Sequence, residues 1–369
     1  MMGLMRKVST MESIWDQLAQ RIVSGLDLQP GELIELRDQA GNQRLLHSLT
    51  LAIDAAGATP LTQIMTADYL ERLLQSSPLE YLANWDRHRA AWAEQVDRVV
   101  VLGGAAADLT RASVEARDTF FAAEGRVEAI VEARRLPFLV VAIPAVSKAA
   151  QLGIEHSALE HHMMPALLID SAALQAEIEH ALLSAEAGES LVIRSGQGHE
   201  LRLRRGERPW MSDDGRIDLA DRARGAVVSN LPAGSIYTTV IEDSAEGSLA
   251  LPVAGPARLV VLQFSAGRIS TIEAASGGAA LEAFFDSHTG EPRRISHIGI
   301  GLNPHLRRSI GWTLVDEHVH GSMFIAFGEN RYMGGQNESS LNVDYIVPEP
   351  TIISGDRAIV EAGRLTIDD

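Results

Sequence analysis

The sequence predicts an α/β N-terminal domain, a parallel sheet with flanking helices, followed by a mainly-β C-terminal domain that carries the chemistry. Three observations point there. Amphipathic helical stretches alternate with short apolar runs down to about Ala187, the order that builds parallel sheets with right-handed crossovers. From Leu191 the texture changes to alternating residues between glycine turns, which is a β signal. The length of 369 residues exceeds the size at which single cores usually stop growing, so two domains are expected, 1–187 and 188–369.

Met11 to Leu26 repeats apolar positions at helical spacing, with Gly25 as a stop signal. PGELIELRD then reads as a strand, RLLHSLTLAIDAAGATP as a helix running into a turn, and LTQIM as a second strand. Tyr69 to Arg98 is helical with a break near Ser76, Ser77 and Pro78. RVVVLGGAA and PFLVVAIP are buried-strand signals on either side of a helix around Arg111 to Arg135. SLVIRSGQGHELRLRR is a hairpin pattern around a Ser-Gly-Gln-Gly turn. Short strands with turns continue to the end, apart from one helix near Gly277 to Ser287.

Composition excludes several classes. A net charge of −17 argues against nucleic acid or an anionic membrane as the main partner. The absence of cysteine removes disulfides, thiolate nucleophiles and Cys-ligated metals. No stretch reaches the roughly 18 apolar residues of a membrane span, and MMGLMRKVSTMES lacks an apolar signal core, so a cytoplasmic location is expected. Gly103 and Gly104 lack the third glycine and lysine of a phosphate-cradling loop. HSALEHHMMP reads as a solvated helix start, and Ser235 and Ser339 lack a His–Asp partner pattern.

The chemistry concentrates between Ser296 and Pro350, where His297, His318 and His320 lie among Asp316, Glu317 and Asp344. Imidazoles and carboxylates on a rigid β scaffold are the parts of a divalent metal site. In DEHVH the two histidines are two apart, and a strand would put both on one face. Either both histidines face a site or neither does, which makes His320 a candidate ligand.

In order, GHEL (198–201), NLPAGSIY (230–237), HIGIGLNP (297–304), DEHVHGSMF (316–324) and NVD (342–344) resemble the thermophilic aminopeptidase family, the aminopeptidase T and AmpS group. That resemblance implies the fold and places the family's metal ligands on Ser235, His297, Phe324, Asn342 and Asp344. A hydroxymethyl, a phenyl ring and a neutral amide do not hold the two cations of such a peptidase. Histidine in place of glutamate in HIGIGLNP is similar instead to the 2,5-dihydroxypyridine 5,6-dioxygenase group, which uses one iron. Carried over, His297 and Asp344 match that group's ligands and Asn342 replaces its second histidine. The implied function is a mononuclear non-haem Fe(II) dioxygenase-like enzyme acting on a small aromatic or chelating molecule. The alternatives are a single-zinc peptidase or amidohydrolase and a metal-free binding protein. His199, Glu200 and Asn342 are expected near the substrate or behind the ligands, and a homo-oligomer with a small-molecule or short-peptide ligand is expected.

Overall fold

The computed structural model describes residues 13–186 and 188–366. Two units emerge: residues up to His156 with Arg216–Ser229, and Ser157–Gly215 with Asn230 onward.

The first unit opens with α1 (Ile14–Leu26), started by a capping box in which Ser13 and Asp16 exchange bonds of 3.2 and 3.0 Å. The part of this helix expected from Met11 lies outside the described residues. There follow β1 (Leu33–Asp38), α2 (Gln43–Ala55) and β2 (Thr59–Ile64), then α3 (Ala67–Ser76), α4 (Leu79–Ala83) and α5 (Asp86–Ala93). Next come β3 (Arg98–Gly103), α6 (Val114–Ala133), β4 (Phe138–Ala142) and α7 (Val146–Leu152). Strands run β2-β1-β3-β4 with parallel pairing throughout. Central β3 is buried at every position, which is why RVVVLG is a continuous apolar run after its first residue. That first residue, Arg98, is fully buried. It donates from Nε and Nη2 to Glu32 at 2.8 Å each, and to the carbonyls of Leu26 and Asp27 where α1 ends. The guanidinium thus satisfies carbonyls that a helix end leaves without partners.

The chain continues through α8 (His156–Leu167) and α9 (Ser171–Ala185) into β5 (Ser190–Ser195), β6 (His199–Arg204) and β7 (Met211–Asp213). Residues 216–229 return to the first unit with α10 (Leu219–Arg224), and β8 (Val228–Leu231) joins its sheet beside β4. The second unit resumes with β9 (Ser235–Thr239), β10 (Glu246–Ala254), β11 (Ala257–Ser265), β12 (Arg268–Ser276), α11 (Gly278–Asp286) and β13 (Ile295–Gly301). It ends with α12 (Thr313–Asp316), β14 (Met323–Gly328), β15 (Asn342–Val347), β16 (Thr351–Ser354), β17 (Arg357–Glu361) and β18 (Arg364–Leu365).

The α/β and mainly-β architecture expected from the sequence is present, but the boundary expected at 187 is corrected. Both α8 and α9 belong with the β unit. Ala166 O accepts from Asn303 Nδ2 at 3.3 Å, and Ala185 O accepts from Trp210 Nε1 at 3.1 Å and from Ser354 Oγ at 2.9 Å. HSALEHHMMP opens α8 at His156 as expected, with Ser157, Ala158 and His161 exposed, while Leu159, Met163 and Met164 are buried.

Two sheets form the second unit. One runs β12-β11-β10-β6-β5-β16-β17-β18 and the other β15-β14-β13-β9-β7. They meet through aromatic rings: Phe264 of β11 stacks on Phe327 of β14 at 6.2 Å between centroids, and Phe285 of α11 meets Phe327 edge-on at 5.8 Å. Because side chains alternate along a strand, the face of β14 opposite Phe327 carries Phe324 and Ala326. Among the described residues no helix is long and apolar enough to cross a membrane.

Candidate functional site

Strand register puts the predicted residues on that opposite face of the five-stranded sheet. Asp213 of β7 pairs with Ser235 of β9, and Tyr237 of β9 with Gly299 of β13. Gly299 in turn pairs with Phe324 of β14, Ala326 with Asp344 of β15, and Gly328 with Asn342. His297, two residues before Gly299, shares this face. It and Asp344 come from strands on either side of β14, and the single methyl of Ala326 leaves room for them to meet above it.

Glycines in β13 make room for the rest. A Cβ on Gly299 would lie 2.0 Å from the Phe324 ring, and one on Gly301 would lie 2.2 Å from the carbonyl oxygen of Val319. Gly299 therefore seats the phenyl ring, and Gly301 seats the backbone of residues 318–319, which hydrogen-bonds across from His318 O to Asn303 N at 3.0 Å.

The strand expected for DEHVH is corrected. Here α12 ends at Asp316, whose carboxylate accepts the backbone N–H groups of Ile310 and Gly311 at 2.8 Å each, and the chain then turns. The alternation argument fails in such a turn. His318 points inward and is 1% exposed, whereas Nδ1 of His320 lies 3.2 Å from Arg307 Nη1. Among the described residues no three His, Asp or Glu side chains are grouped to hold a metal ion, so His320 does not join His297 and Asp344. His199 and Glu200 are also elsewhere, on β6 of the eight-stranded sheet. His199 Nδ1 is 3.0 Å from Ser248 Oγ, and Glu200 pairs with Arg194 and Arg202. Asn342 shares the face of Asp344 and donates from Nδ2 to the Tyr332 hydroxyl at 3.1 Å.

What the structure does bring together is a pair and a trio. His297 Nε2 and Asp344 Oδ1 are 3.4 Å apart, and Oδ1 is buried without a hydrogen-bond partner. Burial holds the His297 imidazole below its usual pKa against the pull of Asp344, and burial pushes the Asp344 carboxyl up. The rings of Phe324 and Tyr237 lie 5.9 and 6.2 Å from the imidazole, Phe324 edge-on. Beside them, His318 Nε2 is 3.2 Å from Glu317 Oε1 and 4.0 Å from Asp213 Oδ2. Burial pushes the Glu317 carboxyl up, and the charges of Asp344 and Asp213 add to this while His318 opposes it. Asp213 gave no sequence signal, because only the β7–β9 register places it on this face.

His318 has a raised pKa because its bond to Glu317 and the charge of Asp213 outweigh burial. A raised folded value stabilises the fold in full below the unfolded value of 6.5 and loses that contribution as pH rises through the folded value. The stability lost in His318→Gln, read from melting temperatures, is expected to be larger at pH 6 than at pH 9. A difference independent of pH would refute the charged trio.

A neutral imidazole nitrogen facing an unpartnered carboxylate oxygen suits one divalent cation. Their 3.4 Å separation matches two neighbouring ligands with bonds of about 2.0–2.2 Å. Among the described residues this pair supplies two donors of that kind. Fold and site together define an α/β and mainly-β scaffold that brings the buried imidazole of His297 and the Asp344 carboxylate together on a sheet face. The chain belongs to the thermophilic metalloprotease (M29) family, whose model matches residues 12–358. It is also 28% identical over 192 residues to the 2,5-dihydroxypyridine 5,6-dioxygenase of Pseudomonas putida, a match covering 47% of this chain and 53% of that protein. The match thus spans about half the length of that relative. Two solved structures share the fold. Wild-type AmpT from Thermus thermophilus superposes with a TM-score of 0.72 at 19% identity over 96% of this chain and 99% of that one. The 2,5-dihydroxypyridine dioxygenase from Pseudomonas putida KT2440 gives 0.59 at 18% identity over 95% and 96%.

Proposed function

We propose that the chain is a mononuclear metal enzyme of the dioxygenase-like kind, acting on a small aromatic or heteroaromatic molecule whose own oxygens complete the metal's ligands. The observation that carries this reading is the approach of His297 Nε2 to Asp344 Oδ1 at 3.4 Å, where the buried carboxylate oxygen has no hydrogen-bond partner. His297 and Asp344 would hold Fe(II), which would supply the binding and activation of a chelating substrate and dioxygen. The remaining work falls to the chain itself. Phe324 and Tyr237 wall the pair with aromatic surface, which keeps water away from the imidazole and offers faces to a flat ring. Glu317 and His318, 3.2 Å apart, are the titratable groups beside the pair that would take up a proton released by a substrate hydroxyl.

Peptidase chemistry is the weaker reading. It keeps support from the family, yet Ser235, Phe324 and Asn342 stand where the resemblance places ligands for a two-metal centre, and only His297 and Asp344 remain as strong donors. A single Zn²⁺ on the same two residues is its surviving form. Anaerobic titration with Fe(II), then with Zn(II), followed by oxygen uptake on catechol-like and hydroxypyridine substrates, separates the two. One equivalent of iron and iron-dependent oxygen uptake are expected. Zinc-supported release of amine from aminoacyl anilides without oxygen uptake would replace this reading with the hydrolytic one, and binding of neither metal would sink both.

A further inference from the structure

Ser296 and His297 are chain neighbours, yet their side chains meet, with Ser296 Oγ 2.9 Å from His297 Nδ1. The register of β13 against β14 shifts between Ile295 and Ile298, and a bulge of this kind re-aims side chains that a regular strand would send to opposite faces. Carbonyls at the bulge are taken up by buried amides. Asn330 Nδ2 donates to Ser296 O and Asn337 Nδ2 to Ile295 O, each at 3.0 Å, and Asn337 N donates to Asn330 Oδ1 at 2.8 Å. Ser296 and Asn330 are 0% exposed and Asn337 is 2% exposed. The loop is drawn so close that a Cβ on Gly335 would lie 2.1 Å from the Asn330 amide.

A serine hydroxyl has one proton to give. Ser296 gives it to Glu329 O at 2.8 Å, so Oγ faces His297 Nδ1 as an acceptor and Nδ1 carries the hydrogen. That leaves Nε2 of the neutral ring as a bare lone pair, 3.4 Å from Asp344 Oδ1. The arrangement opposes what Asp344 alone would select: a carboxylate beside Nε2 draws the ring hydrogen to Nε2, where it would form a hydrogen bond and block the ligand position. We infer that Ser296 is a positioning residue that locks His297 in the Nδ1–H tautomer and so keeps Nε2 free to bind a cation. The inference rests on the metal reading above, but the tautomer is a property of the metal-free protein.

Nitrogen-15 NMR of histidine-labelled, metal-free protein reads the tautomer directly, and a Co²⁺ titration reads its consequence. In the native protein His297 is expected as Nδ1–H. In Ser296→Ala it is expected to move to Nε2–H, with Co²⁺ affinity falling about 10- to 100-fold, the usual effect of losing a ligand's outer partner. Ser296→Thr, which keeps the hydroxyl, is expected to restore both, and thermal melts compare the folding of the two variants. An Nε2–H tautomer in the native protein, or an unchanged tautomer in Ser296→Ala, overturns the inference. Failure of the native protein to bind Co²⁺ would instead overturn the metal reading, with the tautomer result still deciding the role of Ser296.

Discussion

Asp344→Asn is expected to weaken divalent-metal binding by more than the ~100-fold upper range for losing an outer partner, while leaving the protein as stable as before or more so. The two effects have opposite signs for one reason. Burial raises the pKa of the Asp344 carboxyl, and no hydrogen bond to Oδ1 compensates. A carboxyl whose folded pKa lies above the unfolded 3.8 favours folding only while protonated, so ionised Asp344 is a cost to the metal-free fold at neutral pH. The amide of asparagine has nearly the same shape and carries no charge, which removes that cost and the ligand together. Calorimetric titration with Co²⁺ and melting curves at pH 7.5 check both signs. Undiminished metal binding would refute the assignment of Asp344, and a large drop in melting temperature would refute the account of its electrostatics.

The second large effect lies in the parallel-sheet unit. Glu32→Gln is expected to destabilise it by about 1–3 kcal/mol, the usual cost of leaving a buried donor without its partner. Arg98 stays fully buried with its charge, and two carbonyls do not replace a carboxylate that took two of its hydrogen bonds. Burial works against the ionised Glu32, but the Arg98 bonds prevail and hold its pKa below 4.5. The contribution is therefore present above pH 4.5 and fades as pH falls through the lowered folded value. Urea unfolding followed by hydrogen exchange in β3 measures it. A change under 1 kcal/mol would mean that water reaches Arg98 far better than its burial implies.

Much of the architecture was legible because it rests on local pattern. The apolar runs of β3 and β4 could only be buried strands between helices, and the Ser-Gly-Gln-Gly turn placed β5 against β6. What stayed hidden depends on contacts far apart in sequence. Residues 216–229 look like an ordinary connection, yet they leave the β unit and return to the parallel sheet. The site was half legible for the same reason. His297 and Asp344 are on strands, and register brings them together. His318 and His320 obey no strand alternation, because the Asp316 carboxylate ties down residues 310–311 and the chain turns there. Nothing in the pattern of single residues marks the bulge that lets Ser296 reach His297.

The strand order of the second unit has a consequence for when the site can exist. β16, which follows β15 in the chain, pairs with β5, the first strand of the unit, and β17 and β18 add beyond it. Strands far apart in the chain thus clasp one another, a topology of high contact order that folds slowly. On the metal reading proposed above, cation binding would have to wait for that closure. A chain ending at Glu349 keeps both His297 and Asp344 but lacks the clasp, and it is expected to bind no cobalt and to be readily proteolysed. Stoichiometric binding by that fragment would show that the five-stranded sheet assembles without its closing strands.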